Sequence, residues 1–428
     1  MSEPNRAAGT EPARSLDRRD PLAALRELFV LDPATVYLDG NSLGALPRSV
    51  PARVADVVNR EWGRLRIRSW TESGWWTAPE RVGELVAPIL GAAPGQVVVG
   101  DSTSVNIFKA VVGAVRIAQE GSTGDAGATG DAGAAGEAEQ RTELLVDRAT
   151  FPTDGYIASA AARLTGCTLR PVAAAEVPAA VGPRTAAVLL NHVDYRTGEL
   201  HDLPALTAAV RAAGAVSVWD LCHSAGALPV GLDAHGVDLA VGCTYKYLNG
   251  GPGSPAYLYV RSGLQARFDS PLPGWNSHAE PFAMAPGYEP VDGAGRGRVG
   301  TPDIVSMSAL EEALRVWEGV AIEDVRAKSL ALTDYFLRRV RELVPADAAV
   351  SLTSLTPEEH ARRGSQVALL CDPAQEAGRV MEELAARGVI GDFRYPGVLR
   401  FGFTPLYTSF EDAERAARVL GEVTGGPR

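Results

Sequence analysis

Two residues stand where they could share the work of an electron-sink cofactor. Asp220 closes an apolar run, AVSVWD at 215–220, and Lys246 follows 26 residues later (246 − 220), after a second apolar run, VDLAVGC at 237–243. A lysine amine can form an imine with an aldehyde, and an acid on a pyridine nitrogen keeps that ring able to absorb electrons. Pyridoxal phosphate needs both, with donors for its phosphate and something flat against its ring. An Asp and a Lys on neighbouring strand ends can bracket one ring. As a bare pair they also fit a helix cap and a solvated loop lysine. Tyr245 and Tyr247 beside Lys246, and the glycine-rich stretch from Asn249 to Gly253, are a poor setting for a merely solvated lysine.

Further residues suit the same chemistry. DSTSVN at 101–106 offers hydroxyls and free N–H groups at a helix start, which suit either a phosphate or a cap. FPTD at 151–154 supplies Phe151 for a ring face or for core packing, and Asp154 close by. His223, three residues after Asp220, could support that carboxylate, approach the ring, or simply sit satisfied in a loop. Cys222 between them has no base to activate it and reads as packing. Arg400, in VLRFGFTPLY, has apolar flanks that favour a partly buried fork for a carboxylate over a surface ion pair.

The elements that would position these residues alternate. The short apolar runs VVVG (97–100), ELLVD (143–147), AAVLLN (186–191), AVSVWD and VDLAVGC are separated mostly by helix-compatible stretches such as LPALTAAVRAAG (203–214). That pattern predicts an α/β fold with a mainly parallel sheet covered on both faces, and polar residues past its strand ends become the site candidates. After about 305, apolar residues at helical spacing (Met307, Leu310, Leu314, Trp317, then Val325, Leu332, Phe336, Val340) lead into QVALLC and VLRFGF, a small α+β unit. The expected division is a disordered tail over 1–20, an N-terminal helical segment over 21–70, a large cofactor domain over 71–305 and a small C-terminal domain over 306–428. GSTGDAGATGDAGAAGEAE at 121–139 is expected to be a low-complexity insertion.

Composition bounds the partners. Of 428 residues, 46% are hydrophobic and 22% charged, and the net charge of −11 argues against nucleic acid. The short Arg64, Arg66, Arg68 run sits among tryptophans and suits a solvated face or an anion-binding corner. No apolar stretch of about 20 residues predicts a membrane span, and the polar first residues do not read as a secretory signal. Cys167, Cys222, Cys243 and Cys371 are too scattered for a disulfide framework or a zinc site, so no metal is expected and the cytoplasm is the default compartment.

Taken together, YLDGNSLG (37–44), RSW and WW (68–76), DSTSVNIFK (101–109), FPTDGY (151–156), NHVDYRTGELHDL (191–203), DLCHSAG through YKYLNGGPG (220–253), GW…PFAM (274–284), RVGTPDIVSMSALE (298–311) and LRFGFTPLYTSFED (399–412) resemble the kynureninase family. The resemblance implies the fold of type I pyridoxal-phosphate enzymes, with a seven-stranded sheet. It also implies cleavage of L-kynurenine to anthranilate and L-alanine, in a homodimer with sites at its subunit interface. Carried over by position, Lys246 is the Schiff-base lysine and shuttles the Cα proton. Tyr245 is the acid that returns a proton to Cβ. Asp220 pairs with the ring nitrogen, His223 lies near the ring, Phe151 stacks on it with Asp154 close by, and Asn191 faces the cofactor. Thr103, Ser104, Tyr245, Trp275 and Thr301 serve the phosphate region, and Arg400 takes the substrate α-carboxylate. Trp62, Gly300 and Thr301 look like the bacterial type, which favours kynurenine over 3-hydroxykynurenine.

The sequence departs from the family at Cys222, where Ala is usual. It departs also at Asn276 and Ser277, in place of a glycine-containing turn, and at Gly297, where an aromatic is usual. Those last changes bear on the aryl substrate more than on the cofactor. The alternatives are a related enzyme acting on a modified kynurenine, a class V transferase or desulfurase, and a non-enzyme that kept the fold. A desulfurase needs a cysteine in a late mobile loop, and Cys371 instead ends the strand-like VALLC. A non-enzyme would be expected to lose Lys246, Asp220 or Arg400.

Overall fold

The computed structural model describes residues 11–123 and 140–425. In chain order its strands are β1 (Val36–Tyr37), β2 (Val97–Val99), β3 (Glu143–Asp147), β4 (Thr168–Val172), β5 (Thr185–Asn191), β6 (Val216–Asp220), β7 (Leu239–Gly242) and β8 (Tyr257–Val260). The small unit adds β9 (Ser351–Ser354), β10 (Gln366–Asp372), β11 (Val389–Ile390), β12 (Asp392–Arg394) and β13 (Val398–Gly402). The central sheet has seven strands in the order β2-β8-β7-β6-β5-β3-β4. Neighbours from β7 to β4 run parallel, while β8 is antiparallel to β2 and β7. This is the expected α/β architecture.

Every residue of β3, β5, β6 and β7 is buried because both faces are covered. Leu144, Val146, Leu189, Val218 and Val241 pack with Ile107, Val111 and Val115 of the helix Thr103–Thr123. Their neighbours Leu145, Val188, Leu190, Trp219 and Ala240 face a second cluster with Val82, Leu206 and Leu310. The period of two thus delivers one apolar set to each layer.

The second unit is a four-stranded sheet, β12-β13-β10-β9, antiparallel throughout, under the helices Ile322–Leu343, Ala377–Ala386 and Phe410–Gly425. Its limits differ from the expected 306–428. Met307, Leu310, Leu314, Trp317 and Val325 pack into the large unit, and only from Leu332 does the chain feed the small core. Helical spacing marks a buried stripe but not which core receives it. The N-terminal segment enters this unit too, since β1 pairs parallel with β11 and Val36 and Leu38 join its core.

The tail expected over 1–20 is corrected in its second half. Ala13–Arg19 is a helix against Phe410–Gly425, with Ala13 buried. The Asp17 carboxylate accepts from the N–H groups of Phe410 and Glu411 at 2.7 and 3.0 Å, capping that helix, and Asp20 pairs with buried Lys328 at 2.6 Å. The segment is polar because its charges have partners far along the chain. Residues 1–10 lie outside the described residues, as does the expected insertion beyond Thr123, over 124–139. No helix among the described residues is long and apolar enough to cross a membrane.

Candidate active site

The carboxyl ends of the parallel strands build the site. Register pairs Asn191, last in β5, with Asp220, last in β6. β7 leads into the turn carrying Tyr245 and Lys246. Phe151 follows β3 and precedes the helix Pro152–Thr165, whose first turn holds Asp154. Thr103 and Ser104 open the helix Thr103–Thr123. All of these, with His223, line one cleft of about 120 Å³. Tyr195, Val193, Thr153 and Cys222 complete its wall.

A hydrogen-bonded carboxylate pair forms the floor. The Asn191 amide donates to Asp154 Oδ2 at 3.0 Å and to Asp220 Oδ2 at 2.9 Å, and Thr150 donates to the Asn191 carbonyl. The Cys222 N–H holds Asp220 Oδ1 at 2.7 Å. Burial pushes the Asp154 carboxyl well above its usual range, and the Asp220 charge adds to the effect. Lys246 Nζ lies 3.0 Å from His223 Nε2, whose Nδ1 lies 2.8 Å from Gln366 Oε1. Burial, then the positive charges of Lys246 and Arg400, hold His223 well below its usual range, so it is neutral. Burial, with the Cys243 and Cys222 thiols nearby, raises the Tyr245 phenol and keeps its proton in place.

These donors fit pyridoxal phosphate. One lysine amine and one carboxylate held by two donors open onto the same cleft. Phe151, 43% exposed, presents an uncovered ring edge-on to Tyr195, with centroids 5.1 Å apart. The hydroxyls of Thr103 and Ser104, at the start of a long helix where an anion is favoured, line the same cleft. Among the described residues no cluster of His, Cys, Asp and Glu could hold a metal.

Other expected residues lie outside this cleft. Gly300 and Thr301 line a neighbouring cavity of about 390 Å³, which Thr103 and Tyr245 also border. Trp275 packs with Trp70, Trp76 and Phe282, at centroid distances of 6.4, 5.5 and 6.3 Å. Trp62 is 62% exposed. Arg400 is buried on β13, where Nε donates to Asp392 Oδ1 at 2.9 Å, NH1 to the Tyr195 carbonyl at 2.5 Å and NH2 to Ser42 Oγ at 3.1 Å. Its buried fork thus has the partner that burial demands.

The departures have local causes. A Cβ on Gly297 would meet Leu258 Cδ2 at 2.6 Å, so this backbone leaves no room for an aromatic there. Asn276 donates to the Gly300 carbonyl at 3.1 Å, and Ser277 Oγ holds Gly274, so the pair braces the 274–301 turn. Cys371 is buried on β10, where burial pushes its thiol up to about 12, the opposite of a reactive thiolate. Sequence reasoning missed Gln366, Tyr195 and Asp392. Tyr195 lay inside the quoted NHVDYRTGELHDL, but nothing in the spacing marks Gln366 or Asp392.

A family model described as the kynureninase C-terminal domain matches residues 325–420. A kynureninase of Burkholderia pseudomallei (strain 1106a) is 46% identical over 416 residues, covering 96% of this chain and 95% of that one. A kynureninase of Pseudomonas fluorescens is 44% identical over 412 residues, covering 96% and 94%. Among solved structures, a cysteine desulfurase from Thermococcus onnurineus NA1 superposes with a TM-score of 0.74 at 18% identity, covering 98% of this chain and all of that one (100%). A C-DES variant with glycine covalently linked to its pyridoxal-phosphate cofactor gives 0.73 at 18% identity, covering 92% and 98%. At such identities these two structures show the shared fold alone.

Proposed function

We propose a substrate and its machinery from one premise: this chain belongs to the kynureninase family, pyridoxal-phosphate-dependent hydrolases that cleave a carbon–carbon bond. The reading is hydrolytic Cβ–Cγ cleavage of L-kynurenine to anthranilate and L-alanine, with kynurenine favoured over 3-hydroxykynurenine. The observation that carries it is the shared cleft of Lys246 and Asp220, with His223, Tyr245 and Phe151 on its walls.

The bound cofactor supplies an electron sink for the bonds at the substrate's Cα and Cβ. Lys246 anchors it and then carries the Cα proton. Asp220, oriented by Asn191 and the Cys222 N–H, holds the proton on the ring nitrogen. Phe151 would stack on the cofactor ring, with Asp154 close by. Thr103 and Ser104 hold the phosphate. Tyr245, its phenol kept protonated by burial, returns a proton to Cβ after water has entered at the γ-carbonyl. Arg400 binds the α-carboxylate through the one guanidinium N–H that Asp392, the Tyr195 carbonyl and Ser42 leave free.

The reading includes a homodimer with sites at its subunit interface, to which Trp62, Trp275, Gly300 and Thr301 contribute. Trp62, Ile67, Phe282 and Met284, between 62% and 77% exposed, are the apolar surface such a homodimer would cover. Gly300 gives a ring hydroxyl no side-chain partner, which supports a preference of roughly tenfold for kynurenine.

The deciding experiment is a visible spectrum of the purified protein and a product assay with both substrates. A yellow band, anthranilate formation and a higher kcat/KM for kynurenine are expected. A band without anthranilate would overturn the substrate, and equal kcat/KM values would overturn the preference. Mixing Lys246→Ala chains with Trp275→Ala chains should restore activity that neither has alone. No recovery in mixed dimers would count against the shared site.

A further inference from the structure

We propose that Gln366 is a positioning residue: it fixes His223 as the tautomer with its proton on Nδ1, so that the Nε2 lone pair always faces the Lys246 amine. The inference deepens the proposed function and rests on its placing Lys246 and His223 in the site.

Which nitrogen of a neutral imidazole carries the proton is set by the partner of the other one. Here that partner is the Gln366 side chain, and its own orientation is fixed. Gln366 Nε2 donates to the carbonyl oxygens of Tyr195 at 3.0 Å and of Asp194 at 3.3 Å. Turning the amide over would set its oxygen against two carbonyl oxygens. Oε1 therefore faces His223, and Asn41 Nδ2 donates to the same oxygen at 3.4 Å. An oxygen 2.8 Å from Nδ1 requires a proton on Nδ1. Nε2 is then an acceptor, 3.0 Å from the Lys246 amine, which can only donate when charged. Lys246 after β7, Arg400 on β13 and Arg394 on β12 oppose a second ring proton on His223, while the acids Asp220 and Asp154 share its cleft and Asp392 pairs with Arg400.

The anchor crosses the two units. Gln366 begins β10, paired with Gly402 of β13, while Arg400 on β13 donates to the same Tyr195 carbonyl. The cleft's Tyr195 wall is thus gripped by two neighbouring strands of the small sheet, and docking of the small unit and the state of His223 become one event.

The test uses ring-¹⁵N-histidine NMR of the full chain without added cofactor, with the His223 signals identified by their loss in His223→Gln. One protonated nitrogen assigned to Nδ1 and one bare nitrogen assigned to Nε2 are expected. Gln366→Leu should populate the other tautomer. Gln366→Glu should keep both nitrogens protonated to a pH about one unit or more higher than in the parent. A native Nε2–H tautomer, or a Gln366→Leu variant of unaltered circular dichroism with an unchanged pattern, would overturn the proposal. In activity assays Gln366→Leu should lower kcat with little change in KM, and Gln366→Glu should move the acid limb of kcat/KM upward. The NMR arm needs no kynurenine turnover, so its failure is distinguishable from a wrong substrate.

Discussion

Asn191 and Asp220 end adjacent parallel strands in register, and the Asn191 amide donates to the Asp220 carboxylate at 2.9 Å. The same amide donates to Asp154 at 3.0 Å, so one nitrogen separates two buried carboxylates. Asn191→Ala removes the side-chain amide that bridges them and leaves Asp220 without one of the donors that orient it. Losing hydrogen bonds of this kind costs about 1–3 kcal/mol, so cofactor affinity should fall roughly 10- to 100-fold. Absorbance titration with pyridoxal phosphate measures this, and an unchanged affinity would refute the bridging role.

Lys246→Ala should abolish covalent attachment of the cofactor. After borohydride treatment and digestion, mass spectrometry of the parent should find the adduct on the Lys246 peptide. An adduct persisting in Lys246→Ala would show that another lysine holds the cofactor.

Asp39 makes stability depend on pH. Burial, reinforced by the charge of Asp392, raises its carboxyl from 3.8 to about 6. A raised folded value means that the native state holds the proton more tightly than the unfolded chain. The associated stability is present below about pH 4 and is lost as pH rises through 6. The loss amounts to ~2–3 kcal/mol after allowing for partial exposure. Asp39→Asn should match the parent near pH 4 and exceed it at pH 7 in urea unfolding. A pH-independent difference would count against this account.

Arg400 depends on Asp392 for its orientation. Arg400→Lys loses the fork and should raise KM for kynurenine by about 10- to 100-fold, with cofactor affinity nearly unchanged. Asp392→Asn should raise KM less, because the Tyr195 carbonyl and Ser42 still hold the guanidinium. Steady-state kinetics beside cofactor titration separates the two effects, and an unaltered KM in Arg400→Lys would remove Arg400 from substrate binding.

Gly300 tests the substrate preference. A Cβ built there meets nothing within 4 Å, so a side chain enters without strain. Gly300→Ser offers a polar partner to a ring hydroxyl and should shift the kcat/KM ratio toward 3-hydroxykynurenine by roughly tenfold. Competition assays read that ratio directly, and a constant ratio would place Gly300 outside the aryl pocket.

Local pattern was enough for much of this protein. Apolar runs of strand length announced the parallel sheet, because strands buried on both faces must be apolar at every position. Asn191 and Asp220 end such runs, and Lys246 follows one between Tyr245 and Tyr247 and before a glycine-rich stretch, so local pattern makes all three candidates. YKYLNGGPG and YLDGNSLG carried the family. Other features depend on contacts between distant segments. The polar residues before Asp20 form a helix because Asp17 caps one near the far end of the chain and Asp20 neutralises Lys328. The helical stripe after 305 divides between two cores that share one period. Gln366 opens an ordinary apolar strand, and it reaches His223 only because β10 docks against the loop at Tyr195. Sequence alone thus determined the layers and the residues at their edges, since both follow from periodicity along the chain. Tertiary structure decided which of those residues touch, because a hydrogen bond across 143 positions leaves no trace in local spacing.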